Sequence, residues 1–157
     1  MDAPILEELE ALGLNAENYR ALVLLPLIQV AWSDGKIQGP EKELILEVAE
    51  EGGLIDGTSR SVVEKWLEDR PTSTAMVRGA HVLVALARLS EDDSSASTVT
   101  VNTLSDILEF SHQVAEAAGG MFGLAESISR SELHALEQIG RALQVHTGNT
   151  WLDILDY

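Results

Sequence analysis

Residues 31–43 read AWSDGKIQGPEKE, and the reading of this stretch decides the fold. An apolar run closes in Trp32, the chain turns through Asp34-Gly35, and one apolar residue stands at Ile37. Pro40 then opens a new helix, where its missing N–H has no intrahelical partner to lose, and Glu41 falls in the first turn. Read from Asp34, the spacing D-G-K-I-x-x-x-E matches the second half of a calcium-binding EF-hand loop. Such a loop needs side-chain oxygens at positions 1 and 3 and a bidentate Glu at position 12. With Glu41 at position 12, those earlier positions are Val30 and Trp32, neither of which carries an oxygen to offer. The stretch is a joint between two helices, and the first half of a calcium loop is missing.

Working outward, helical signals cover most of the chain. A first helix starts near Pro4 and ends at Gly13, within an N-terminal segment 1–14. Asn15 is placed to cap a second helix from Ala16 to about Ser33, apolar on nearly every face and therefore central. Pro26 is expected to kink it. A third runs from Pro40 to Glu51 and stops at Gly52-Gly53. A fourth, capped by Thr58 or Ser59, carries Val62, Val63, Trp66 and Leu67. A fifth extends from Thr72 or Ser73 to Leu89. The polar stretch 90–100, SEDDSSASTVT, has the composition of a flexible linker. Its end, Ser97 to Val101, alternates like a short strand but has no second strand to pair with. Beyond it lie a helix from about Asn102 to Ala118, a glycine-bearing turn GGMFGLAES, and a last long helix after Ser129. Ser129 and Glu132 have the S-x-x-E spacing of a capping box. The tail 149–157 ends in TWLDILDY, one more amphipathic turn.

The second half echoes the first. Displacement by 91 positions aligns KIQGPEKELILEVAEEGGL with SISRSELHALEQIGRALQV, placing Ile37 on Ile128, Glu41 on Glu132, Ile45 on Leu136 and Val48 on Ile139. Each copy follows a long helix and has a Glu in its own first turn. The expected architecture is an all-α, single-domain bundle of about seven helices, spanning 1–157 and built from two similar helix–turn–helix halves.

Composition sets the class of partner. With 26 acids against 10 bases, the formal charge of −16 repels phosphate backbones and anionic headgroups, which argues against nucleic acid. Basic protein surfaces and cations are the natural partners. There are no cysteines, which removes disulfides, thiolate metal sites and cysteine nucleophiles. The most apolar run, Ala21 to Trp32, is shorter than the roughly 20 residues a membrane span requires. The acidic start MDAPILEELEALGL lacks a signal peptide's positive region, so a cytoplasmic location without direct membrane insertion is expected.

The runs IQVAWSDGKIQGPEKELI and AEAAGGMFGLAESISRSELHALEQI resemble the bacterial TerB-like, tellurite-resistance family. Ala31, Asp34, Gly35, Ile37 and Glu41 match its A-x-A-D-G-x-I-x-x-x-E unit, and Ile128, Ser129 and Glu132 match its I-S-x-x-E unit. The likeness spans about Ala16 to Val145. Two departures stand out: Trp32-Ser33 replaces the usual small residue before the Asp, and GGMFGLAE occupies the place of a second Asp-Gly turn. The resemblance implies a helical bundle without catalytic activity, linked to tellurite or metal-ion stress, with acidic positions that bind metal and membrane-associated complexes as partners. The alternative is a structural adaptor or protein-interaction module with no metal role.

Two constellations bear on chemistry. Asp34, Glu41 and Glu132 flank the two aligned turns, and carboxylate oxygens suit hard divalent cations. The plainer account is that Asp34 is a turn residue and both glutamates stabilise helix N-termini. Glu109, His112 and Glu116 share one helical face, with Glu-x-x-His at the spacing used in di-iron bundles. Those sites need a second such motif and two further glutamates, and His134 has Arg130 and Ser131 where the partner acid would stand. With the second motif absent, a solvated polar face is the better account of the trio, and His81 reads as a packed or surface histidine. No nucleophile elbow, phosphate-binding loop, zinc-protease motif or dinucleotide fingerprint occurs, so an enzyme is not expected.

Overall fold

The computed structural model describes residues 3–93, 97–121 and 130–143. The described residues form helices joined by turns, with no strand among them: α1 (Ala3–Ala11), a 3-10 segment (Tyr19–Val23), α2 (Leu24–Trp32), α3 (Gly39–Glu51), α4 (Arg60–Glu68), α5 (Ser73–Asp92), α6 (Val101–Met121) and α7 (Arg130–Ala142). This is the expected all-α bundle of about seven helices.

The centre is α2, whose residues Leu24, Leu25, Leu27, Ile28, Val30 and Ala31 are all buried. It packs against every later helix, most extensively against α6. The two halves interlock around this pair. α3 follows α2 in sequence but lies against α6 as well, and α7 follows α6 but lies also against α2. The equivalent positions Ile45 and Leu136 are both fully buried, as the 91-residue echo implies.

Several joints differ from the reading of the sequence, each for a local reason. The expected helix from Ala16 begins instead as a turn and a 3-10 segment. The Asn15 side chain accepts from the Glu17 and Asn18 N–H groups, while Asn18 Oδ1 accepts from the Asn15 N–H. These local bonds hold the backbone out of the α conformation. Pro26 consequently falls in the first turn of α2, where its missing N–H costs nothing, and the expected kink is replaced by the 3-10 junction. At α4, neither Thr58 nor Ser59 caps alone. Asp56 Oδ1 accepts from the Thr58 and Ser59 N–H groups at 2.8 and 2.9 Å.

α5 runs on to Asp92, into the stretch expected to be a linker, and the far end of that stretch is anchored. Ser97 and Val99 are buried, and the Thr98 N–H donates to the Tyr19 hydroxyl at 2.9 Å. Residues 97–100 form no strand. Thr100 and Thr103 cap α6 reciprocally, each Oγ1 accepting from the other's N–H. The helix then continues through Gly119 and Gly120 to Met121, past the expected end at Ala118. The rest of the glycine-bearing turn, Ser129 and the tail 149–157 lie outside the described residues.

Candidate functional site

The joint at 31–43 can now be built atom by atom. α2 ends with the Ser33 hydroxyl donating to the Val30 carbonyl at 2.7 Å and the Gly35 N–H donating to the Trp32 carbonyl at 2.8 Å. Gly35 has φ +93°, a left-handed conformation that only glycine adopts without strain. Trp32 turns its indole across to α4 and donates from Nε1 to the Trp66 carbonyl at 2.8 Å. That carbonyl lies in the last turn of α4, where carbonyls lack intrahelical donors.

Gln38 is then the N-cap of α3, and Glu41 stands at the third helical position with Oε1 accepting from the Gln38 N–H at 2.9 Å. The capping role read from the sequence is therefore real. It uses one oxygen only. Glu41 is 2% exposed, and its Oε2 is buried with no hydrogen-bond partner among the described residues. Burial pushes the Glu41 carboxyl from 4.5 up to about 7; the Gln38 N–H opposes that rise, and the charges of Glu132 and Asp34 add to it. The balance decides which effect wins. A charged hydrogen bond contributes about 1.5–3 kcal/mol and the helix terminus about 0.3–1 kcal/mol, yet desolvation and like charge exceed both.

Glu132 occupies the third position of α7, the same place Glu41 holds in α3, and is also 2% exposed. The structure thus brings the two aligned glutamates, one from each half, into electrostatic contact inside the bundle. Asp34 stands outside this enclosure. It is exposed on the Asp-Gly turn, near enough to act on Glu41 through its charge. Among the described residues, no set of three or more His, Asp or Glu side chains is placed to hold a metal ion. The pair the structure brings together is narrower than the three-acid set: two buried carboxyl groups, with Glu41 Oε2 lacking a hydrogen-bond partner among the described residues. α6, which packs against both α3 and α7, adds buried Ser111, whose hydroxyl has no hydrogen-bond partner among the described residues. Sequence reasoning passed over Ser111 because a lone helical serine carries no signal.

The second constellation lies on the solvent side of α6. His112 Nδ1 pairs with Glu116 Oε1 at 3.2 Å, both side chains more than a third exposed, and Glu109 is exposed one turn earlier. The arrangement is an i, i+4 pair on a polar face, of a kind that contributes a few tenths of a kcal/mol, about 0.2–0.5. His81 and His134 are exposed.

No protein-family model, curated protein or solved structure matches this chain. No described helix is long and apolar enough to cross a membrane.

Proposed function

We propose that this chain is a non-enzymatic, TerB-like protein of tellurite or metal-ion stress, and that it takes a divalent cation between Glu41 and Glu132. One observation supports this above all: a carboxyl group from each half is buried, the charge of Glu132 acts on Glu41, and Glu41 Oε2 has no hydrogen-bond partner among the described residues. Burying an unpaired ionised carboxylate costs several kcal/mol (order of magnitude), and a protein without use for one replaces it by an apolar or amide side chain. Near neutral pH a proton or a cation relieves the Glu41 carboxyl. A cation held there would tie the first turn of α3 to the first turn of α7 and so couple ion level to the packing of the two halves. Asp34, on the adjacent turn, supplies charge that draws a cation inward. The proposed setting is the cytoplasm, with a basic or membrane-associated protein as partner for the acidic surface.

Calorimetric titration of the full chain with calcium, manganese and zinc tests the reading. The expected result is binding of at least one ion, lost in both Glu41→Gln and Glu132→Gln and retained in His112→Ala. Binding that survives both glutamine substitutions, or no binding by any of the three ions, eliminates it.

A second reading has its own support in the lack of a third His, Asp or Glu placed to complete a metal site among the described residues. There the two carboxyl groups share a proton and serve as a structural tie, and the chain is an adaptor without a metal role. The same titration separates the two readings.

A further inference from the structure

Ser111 is fully buried near the middle of α6, on the face that also carries buried Leu104, Ile107, Leu108, Val114 and Ala115. Its neighbours on that face are all apolar. A helical serine commonly returns its hydroxyl to a carbonyl one turn back. Ser33 and Ser90 do so, donating to the Val30 and Ala87 carbonyls at 2.7 and 2.8 Å. Ser111 does not, and its hydroxyl bonds to nothing among the described residues. A buried hydroxyl left that way is destabilising, and alanine would fill the same place without the cost.

The surroundings narrow what this hydroxyl can serve. α6 packs chiefly against α2, α3, α5 and α7. The buried residues of α2 and α5 carry no polar side chain. α3 and α7 each add one, Glu41 and Glu132. Those two carboxyl groups are thus the only buried polar side chains on the described residues of the four helices around α6. At hydrogen-bond distance the hydroxyl would have taken the open Oε2 of Glu41, and it has not. A wider gap suits a bridging ion. Oxygens bound to one magnesium, manganese or calcium ion, at about 2.0–2.6 Å each, stand up to about 5 Å apart, past the reach of a hydrogen bond.

We infer that the Ser111 hydroxyl is the third oxygen of the Glu41–Glu132 site, and that this donor set selects a hard cation of the size of magnesium or manganese. The assignment rests on the ion binding proposed above and deepens it. Glu41 Oε1 is committed to the Gln38 N–H at 2.9 Å, so Glu41 turns a single oxygen to the ion. The bidentate glutamate that closes a calcium loop is therefore missing. No nitrogen or sulfur stands in the set, which removes the ligands zinc favours. Two carboxylates and a neutral hydroxyl balance a divalent charge, as a buried site requires.

Two substitutions test the role of Ser111 in the full chain. Ser111→Ala removes the donor, and Ser111→Cys exchanges it for a thiol in a chain with no cysteine of its own. Manganese is titrated calorimetrically into wild type and Ser111→Ala, with calcium and zinc for comparison. Cobalt(II) is added to Ser111→Cys, where a cobalt-bound thiolate gives a near-ultraviolet charge-transfer band. Melting with chelator present checks folding, and Ser111→Ala should melt no lower than wild type, since it loses only an unpartnered hydroxyl. The expected result is manganese binding weakened at least about tenfold in Ser111→Ala, and a cobalt–thiolate band in Ser111→Cys that disappears when Glu41→Gln is added. Manganese binding unchanged in Ser111→Ala, no band, or a band that survives Glu41→Gln overturns the role of Ser111 and leaves the two-glutamate reading standing. Wild type that takes calcium or zinc in preference to manganese overturns the choice of ion. Wild type that binds no ion fails the two-glutamate reading itself, and the assignment of Ser111 falls with it.

Discussion

At the scale of single residues, Glu41 has the largest consequence. Its carboxyl holds a proton up to about 7 in the folded chain, whereas the unfolded chain releases it near 4.5. Between those values the folded state binds more protons, so stability contributed by this group falls as pH rises and levels off above about 7. At 1.36 kcal/mol per pKa unit, the whole span is worth up to about 3 kcal/mol. Glu41→Gln keeps an oxygen for the Gln38 N–H and removes the titration. Urea unfolding with chelator present should show wild type and variant alike near pH 4.5, with the variant gaining up to about pH 7 and keeping that margin to pH 8. A constant difference across that range would show that burial does not oppose ionisation at Glu41. Asp56 has the opposite sign. Hydrogen bonds from Thr58 and Ser59 pull its carboxyl down to about 2, so its contribution is present above the usual 3.8 and is lost only as pH falls through about 2. Asp56→Ala should lower the melting temperature at pH 7 and speed amide exchange at the start of α4, with Asp56→Asn intermediate.

Between elements, α5 comes close to α2 at Gly79. A Cβ added at Gly79 would lie 2.6 Å from Leu25 Cδ2 and 3.4 Å from Leu22 Cδ1, both side chains fully enclosed. Replacing a mid-helix glycine by alanine normally gains about 1 kcal/mol in helix propensity, but forced overpacking costs about 1–3 kcal/mol. Gly79→Ala should therefore destabilise by about 1 kcal/mol, while Gly39→Ala, with nothing within 4 Å, should be neutral or slightly stabilising. Thermal melts of the two variants check the pair. Contacts of this kind explain what the sequence could and could not tell. Helix positions were legible from 3.6-residue periodicity and from punctuation such as Gly52-Gly53, where Gly53 at φ +61° closes α3 and the Leu54 N–H returns to the Ala49 carbonyl. The 3-10 segment was not, because Asn15 and Asn18 bond to each other's backbone, an exchange that resembles a simple cap when read along the chain. Nor was the passage of α6 through Gly119-Gly120, which look like a stop unless a packed helix is already in place to carry them. The glutamate pair was half legible: the 91-residue echo put both at the same helical position, but only the packing of α3 on α6 and of α7 on α2 and α6 buries both while Asp34 stays exposed.

For the molecule as a whole, a net charge of −16 repels itself. Screening reaches about 10 Å at 0.1 M salt, shorter than the span of the domain, so added sodium chloride weakens that repulsion. The melting temperature should rise between 10 mM and 150 mM salt, and Glu41→Gln should rise in parallel, since a buried group is screened little. The interlocked halves carry a last consequence. α3 leans on the helix of the other half, and α7 leans on α2, so each half alone presents a long helix with one flank bare. Folding in this chain is in effect the association of two similar but non-identical pieces that happen to be joined. Severed between 93 and 97 and mixed, the two pieces should remain largely unstructured apart and recover helical circular dichroism together, with a midpoint that depends on their concentration. The covalent link supplies proximity, and the crossing of the two halves supplies the reason to use it.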